Sequence, residues 1–304
     1  MRLLTVSHNT VYRYSEPVGL GEHRMMLRPR ASHDLRLIRT RLTITPEPSE
    51  LHWIHDVFDN SIAVATFTGK TVELRFESVV TIEHIESERP EYRLETEART
   101  YPFAYSSDER ADLARGMERR YPTEDVQQWA ARFLAPSSAS GSMHTMSLLR
   151  SMTVGINEQF DYRRRAARGV QTPSDTLRFG YGTCRDFAHL MIEGVRSLGL
   201  AARFVSGYIF VPETKPTPTV GGGATHAWLQ VYLPGAGWVD FDPTNKIVGN
   251  RNLIRVAVAW DHSQVLPLWG TFIGKPSAFI DMEVAVSVHD ETASSRDVPQ
   301  DPRR

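Results

Sequence analysis

The sequence predicts an α+β protein: an N-terminal all-β, sandwich-like domain, then a helical lobe, then a cysteine-bearing helix followed by strands. Three observations carry that expectation. Residues 1 to about 90 alternate apolar and polar side chains with a period near two, punctuated by Pro46, Pro48, Asn60 and Gly69. From about residue 104 the period lengthens to that of helices. After residue 200 strand-like segments return, two of them separated by the turn Pro234-Gly235-Ala236-Gly237.

Taken in order, residues 37–44 and 72–76 show the clearest strand alternation. Ser107 and Asp108 lead into an acidic, alanine-rich helix over 109–119, and Thr123-Glu124-Asp125 caps a second helix containing Val126, Trp129, Ala130 and Phe133. A third helix over 142–159 carries Leu148, Leu149, Met152, Val154 and Ile156, with Pro136, Ser137 and Ser138 breaking the chain before it. Residues 161–182 read as a polar, basic loop. The helix that follows spaces Phe187, Leu190, Met191, Val195 and Leu198 along one face and ends at Gly199. Strands are expected at 202–211, 226–233 and 238–241, with a flexible insertion of prolines and glycines over 212–223. The resulting division is a β domain over 1–95, a core over 100–250, strands over 251–288 that complete the β region, and a disordered tail over 289–304.

Composition narrows the function. The 35 basic and 36 acidic side chains leave a net charge of −1, with arginines scattered along the chain, so nothing marks a nucleic-acid or anionic-membrane surface. No apolar run approaches the ~18 residues of a membrane span. Residues 1–8 read as a first strand and lack the apolar core of a signal peptide. A single cysteine forms no internal disulfide, and a free reactive thiol survives best in a reducing compartment, which points to the cytoplasm.

That cysteine, Cys184, lies in Gly180-Tyr181-Gly182-Thr183-Cys184-Arg185-Asp186-Phe187-Ala188, a glycine turn running into a helix. A helix N-terminus favours the thiolate, and Thr183 with Asp186 three residues later forms a capping-box-like pair. Free cysteines are commonly inert core residues. Here a histidine and a carboxylate follow on strand-like segments, the outline of a nucleophile with its base and orienting acid. His226 opens a strand 42 residues after Cys184, and Asp242 ends the next strand across the Pro-Gly turn. Asp240 has the same parity and is its rival. There is no Gly-x-Ser-x-Gly, Walker or His-Glu-x-x-His motif, and His8, His23 and His33 have no ligand spacing. Such a triad needs no metal and no cofactor.

At these residues the chain resembles a transglutaminase-like cysteine enzyme of the bacterial type. The resemblance rests on Gly182-Thr183-Cys184-Arg185-Asp186-Phe187-Ala188-His189, Ser206-Gly207-Tyr208, His226-Ala227-Trp228, Gly237-Trp238 and Asp242-Pro243-Thr244-Asn245. His8-Asn9-Thr10-Val11-Tyr12-Arg13-Tyr14 and Leu27-Arg28-Pro29-Arg30 resemble the leading β domain of that branch. Two departures stand out: Asp59-Asn60 replaces a Gly-Asn, and Ala259-Trp260-Asp261-His262 replaces Gly-Arg-Asp-Tyr. The resemblance implies a papain-like core with Cys184 as nucleophile, His226 as base and Asp242 as the third member. It implies acyl transfer on an amide of a peptide or protein, with hydrolysis favoured. Glutamine–amine crosslinking, or a non-catalytic binding role on the same fold, are the alternatives.

Overall fold

The computed structural model describes residues 1–85, 92–134, 143–164, 169–212 and 219–294. Alternation along β1 (Arg2–Met25) buries Leu4, Val6, His8 and Thr10 and leaves the side chains between them half-buried. Such a strand needs partners on both edges. One edge takes β5 (Lys70–His84), which in turn pairs with β2 (Leu35–Thr45). Around Pro17 the β1–β5 register shifts, at a residue that has no N–H for the ladder. Past that shift β1 pairs with β4 (Ser61–Thr66), which carries β3 (Glu50–His55). The expected sandwich-like β domain is built as one curled, seven-stranded antiparallel sheet, because a 24-residue spine changes partners along its length.

The helical lobe follows. The expected helix over 109–119 is split at Leu113 into α1 (Ser107–Asp112), begun by a Ser106–Glu109 capping box, and α2 (Ala114–Met117). Next come α3 (Glu124–Ala131) and α4 (Thr145–Gln159). Two short ladders tie the lobe, β6 (Thr100–Tyr101) with β7 (Met143–His144) and β8 (Asp161–Tyr162) with β9 (Tyr181–Gly182). The expected loop over 161–182 contains α5 (Pro173–Phe179). Its signals are Thr172 as N-cap, proline in the first turn and Gly180 at φ 71 closing it.

α6 (Cys184–Ser197) is buried almost all round. A Cβ on Gly194 would come within 2.7 Å of the Trp129 ring, so glycine lets α3 approach. Glu193 accepts the backbone N–H groups of Arg120 and Tyr121, while Arg196 pairs with Glu193 and donates to the carbonyls of Gly116, Ala202 and Trp260. This buried pair is fully bonded, and it fixes the helix between lobe and sheet.

Behind α6 stands a five-stranded antiparallel sheet built from β10 (Ala202–Ile209), β11 (His226–Leu233), β12 (Gly237–Asp242), β13 (Ile247–Val248) and β14 (Leu253–Ala259). Its order is β13-β12-β11-β10-β14, which corrects the expected division at residue 251. β14 belongs to the core sheet, where it pairs along its edge with β10 and is buried on both faces. Only β15 (Leu268–Ile273) and β16 (Phe279–Asp290) return to the free edge of β1. The last strand runs through Asp290 and a helical turn covers Glu291–Ser294, so the expected tail cannot begin at 289; its remainder lies outside the described residues. Among the described residues no helix is long and apolar enough to cross a membrane.

The β domain docks on the sheet through buried polar contacts. His8 Nδ1 lies 3.0 Å from the Tyr208 hydroxyl, and Asn60 exchanges hydrogen bonds with both backbone groups of Val258. Asp59, at φ 61, takes the left-handed position where the related motif has glycine.

Candidate active site

The site is built where α6 begins and β11 begins. Cys184 is the first residue of α6 and is buried. Before it, the N–H and hydroxyl of Thr183 both donate to Asp186 Oδ2, at 2.7 and 2.9 Å, and the Gln171 N–H donates to Oδ1 at 2.7 Å. A Cβ on Gly182 would lie 2.8 Å from Asp186 Cβ, so the glycine of the motif permits this locked cap.

His226, the first residue of β11, is fully buried, and its Nε2–H donates to Asp242 Oδ2 at 2.8 Å. Leu229 pairs with Phe241 in the β11–β12 ladder. Continuing that register sets Asp242 diagonal to His226, within reach of a ring. Asp242 is held from both sides: Oδ1 accepts the Thr244 N–H at 2.9 Å, and Oδ2 also accepts Asn245 Nδ2 at 2.8 Å. With Nε2 committed to the carboxylate, Nδ1 is the nitrogen left for the thiol. It makes no aligned hydrogen bond in the resting geometry, yet the thiol and the ring are electrostatically coupled.

That coupling moves both groups. Burial pushes the Cys184 thiol up, but the imidazole, the charge of Arg185 and the Ala227 N–H outweigh it, and the net value falls below that of a free thiol. Burial alone would lower His226; Asp242 and Cys184 together raise it to about 10. Both shifts favour a thiolate–imidazolium pair.

Asp240 is committed elsewhere. Its Oδ1 accepts the Trp228 indole N–H at 2.7 Å and its Oδ2 takes Arg255 at 3.1 Å. The Trp228 ring in turn stacks on His226, with centroids 5.8 Å apart.

Sequence reasoning missed the cover over the histidine. The Asn245 side chain donates to the Val220 carbonyl at 3.0 Å and accepts its N–H at 2.8 Å, so one amide clamps both Asp242 and the chain at Val220. A Cβ on Gly221, at φ 102, would lie 2.5 Å from His226 Nδ1. The Gly223 carbonyl accepts the Val286 N–H of β16 at 3.1 Å. The described part of the expected flexible insertion is thus tethered, and residues 213–218 lie outside the described residues. Within the basic loop, Arg163 pairs with Asp161 and lies over Tyr181, Arg164 meets Tyr162, and residues 165–168 lie outside the described residues. The departing Trp260 and His262 pack on Trp238 and His189, at 5.9 and 4.9 Å.

A helix-borne thiol thus meets a sheet-borne His–Asp pair, behind a β domain. The profile of the transglutaminase-like superfamily matches residues 132–243, and that of the bacterial transglutaminase-like N-terminal region matches residues 4–83. The chain belongs to the transglutaminase-like superfamily. Its leading β domain is the bacterial N-terminal region of that group. An uncharacterized protein of Mycobacterium tuberculosis is 29% identical over 296 residues, covering 92% of this chain and 91% of the relative. One from Mycobacterium leprae is 34% identical over 113 residues, 37% of this chain and 40% of its own. Among solved structures, a candidate cysteine protease from Cytophaga hutchinsonii superposes with a TM-score of 0.68 at 18% identity, covering 95% of this chain and 91% of its own. That likeness is one of fold: a transglutaminase-like core of helices on an antiparallel sheet, with a strand-rich domain before it.

Proposed function

We propose that this transglutaminase-like chain is a cysteine-dependent acyl-transfer enzyme that hydrolyses an amide bond of a peptide or protein, with Cys184, His226 and Asp242 as its triad. One observation carries the reading: a buried thiol at a helix start is coupled to an imidazole whose other nitrogen is fixed by a carboxylate at 2.8 Å. Packing alone has no need of these three residue types together.

In the first step the Cys184 thiolate forms a C–S bond to the carbonyl carbon. Negative charge moves to the carbonyl oxygen, where the Cys184 N–H, first of its helix, is a donor. As the C–N bond breaks, imidazolium Nδ1–H gives its proton to the leaving amine. Water then attacks the thioester, Nδ1 takes its proton, and the acid leaves as the thiolate–imidazolium pair returns. Asp242 holds the Nε2–H tautomer throughout and stabilises the imidazolium. Water is the default acyl acceptor unless a site excludes it, which supports hydrolysis over crosslinking. The scheme uses no metal or cofactor, nucleic acid or membrane, and its reactive thiol fits the cytoplasm.

The test is profiling against a peptide and amide library, with Cys184→Ala as the control. Release of amine that depends on Cys184 and is insensitive to added primary amine supports hydrolysis. Incorporation of the amine into product would establish crosslinking instead. Native Cys184 that alkylates only in denaturant would overturn the enzyme reading.

A further inference from the structure

A second polar site lies on the face of the core sheet turned away from α6. Leu229, Val231, Val239 and Phe241 join the apolar core around α6. Gln230, Trp238 and Asp240 alternate with them and line a cleft of about 610 Å³ against the β domain. The cleft is rich in guanidinium groups. Arg255 is neutralised twice over, by Asp34 at 2.5 Å and Asp240 at 3.1 Å. Arg30 is held through Nη1 by the Phe58 carbonyl and Asn60 Oδ1, at 2.7 and 3.0 Å.

Arg203 differs from both. Its Nε donates to Gln230 Oε1 at 2.9 Å, and its guanidinium lies 4.2 Å from the Trp238 ring centroid. Among the described residues its two Nη groups make no hydrogen bond and no carboxylate pairs with it. Burial, and then the charge of Arg30, pull its pKa down to about 9, against a partial lift from the more distant Asp240. A largely buried cation with no ion pair of its own is costly, and a guanidinium held on an indole presents its donor edge in a fixed plane.

We propose that this cleft is a carboxylate-binding subsite anchored by Arg203. Among the side chains that line the cleft, three guanidinium groups face two carboxylates, one positive charge in excess. That balance suits a monoanion; a phosphate dianion would add its second charge beside Asp34 and Asp240. The planar carboxylate also matches the paired donors of the guanidinium edge. The group comes from an acidic side chain or from a peptide C-terminus. The proposal does not depend on the chemistry assigned to Cys184.

The test follows the Trp238 indole N–H by NMR in the full chain during titration with N-acetyl-glutamate α-amide, N-acetyl-alanine, their uncharged amides, and inorganic phosphate. One of the two carboxylates is expected to shift and saturate the signal, which identifies the source, while its uncharged amide does not. Arg203→Gln should weaken binding about tenfold or more, since a charge-assisted pair is lost. Arg203→Lys, which keeps the charge but not the fork, should fall between. An unchanged Cys184 alkylation rate certifies that each variant is folded. If Arg203→Gln does not fold, the wild-type comparison of acid against amide and the Arg203→Lys value decide. Failure of both carboxylates to bind, equal binding by the amides, tighter binding of phosphate, or undiminished binding by the folded Arg203 variants would overturn the proposal.

Discussion

Replacing Asp242 by Asn tests the triad at its most buried point. The carboxylate accepts three hydrogen bonds, from His226 Nε2, Thr244 N and Asn245 Nδ2. An amide turns one accepting oxygen into a donor. If that NH₂ replaces Oδ2, it faces the donors of both His226 and Asn245, and the ring is driven to the tautomer with its proton on Nδ1. The imidazole then cannot take the thiol proton, and the charge that raises His226 is gone. Burial at Cys184 is left opposed only by Arg185 and the Ala227 N–H, so the thiol rises from its lowered position and loses thiolate. At pH 6.5, where only the thiolate reacts, alkylation by iodoacetamide should fall about 10- to 100-fold. Amide turnover should fall by about 10⁴, as it does in the best-studied serine triad. Asp240→Asn is the matched control. It weakens the contacts to Trp228 and Arg255 and should cost about 1–3 kcal/mol of stability, while alkylation at pH 6.5 stays as in the wild type. Equal losses in the two variants, or an unchanged rate in Asp242→Asn, would refute the assignment.

The lowered thiol and raised imidazole define a window for the ion pair. Alkylation should rise with pH through a midpoint below about 8.5, and amide turnover should fall again as His226 loses its proton near pH 10; a single rise at or above pH 8.5 would exclude the pair. Gly221→Ala drives a methyl into His226 Nδ1, so reactivity should drop at least about tenfold, whereas Gly222→Ala, whose Cβ meets only Val211, should be mild; parallel alkylation rates measure both. His8 is lowered by burial from 6.5 to about 4. The unfolded chain binds that proton first, so this stability is present above about pH 6.5 and lost as pH falls towards 4, by up to about 3 kcal/mol. Urea melts at pH 7 and 4.5 should show a smaller difference in His8→Gln, and an equal difference would mean that His8 is not the titrating group.

The sequence alone determined whatever depends on neighbours along the chain. The α6 start was legible because Gly182, Thr183 and Asp186 act within one turn. β11 and β12 were legible because alternation and the Pro234–Gly237 turn set them side by side, and with them the pairing of His226 and Asp242. α5 was also written locally, in Thr172, Pro173 and Gly180, but its short apolar pattern hid beneath the basic residues before it.

What only tertiary structure decided are contacts between residues far apart in sequence. Asp240 and Asp242 are equivalent by parity, and they were separated by Arg255 and Trp228 claiming one while His226 claims the other. The membership of β14 in the core sheet depended on which of two sheets its backbone edge met. The cover of Gly221 over His226 needed Asn245 to bind Val220 across 25 residues. The unpaired charge of Arg203 appears only when the β domain closes over the sheet, since a side chain's solvent and counter-charges are properties of the packed molecule.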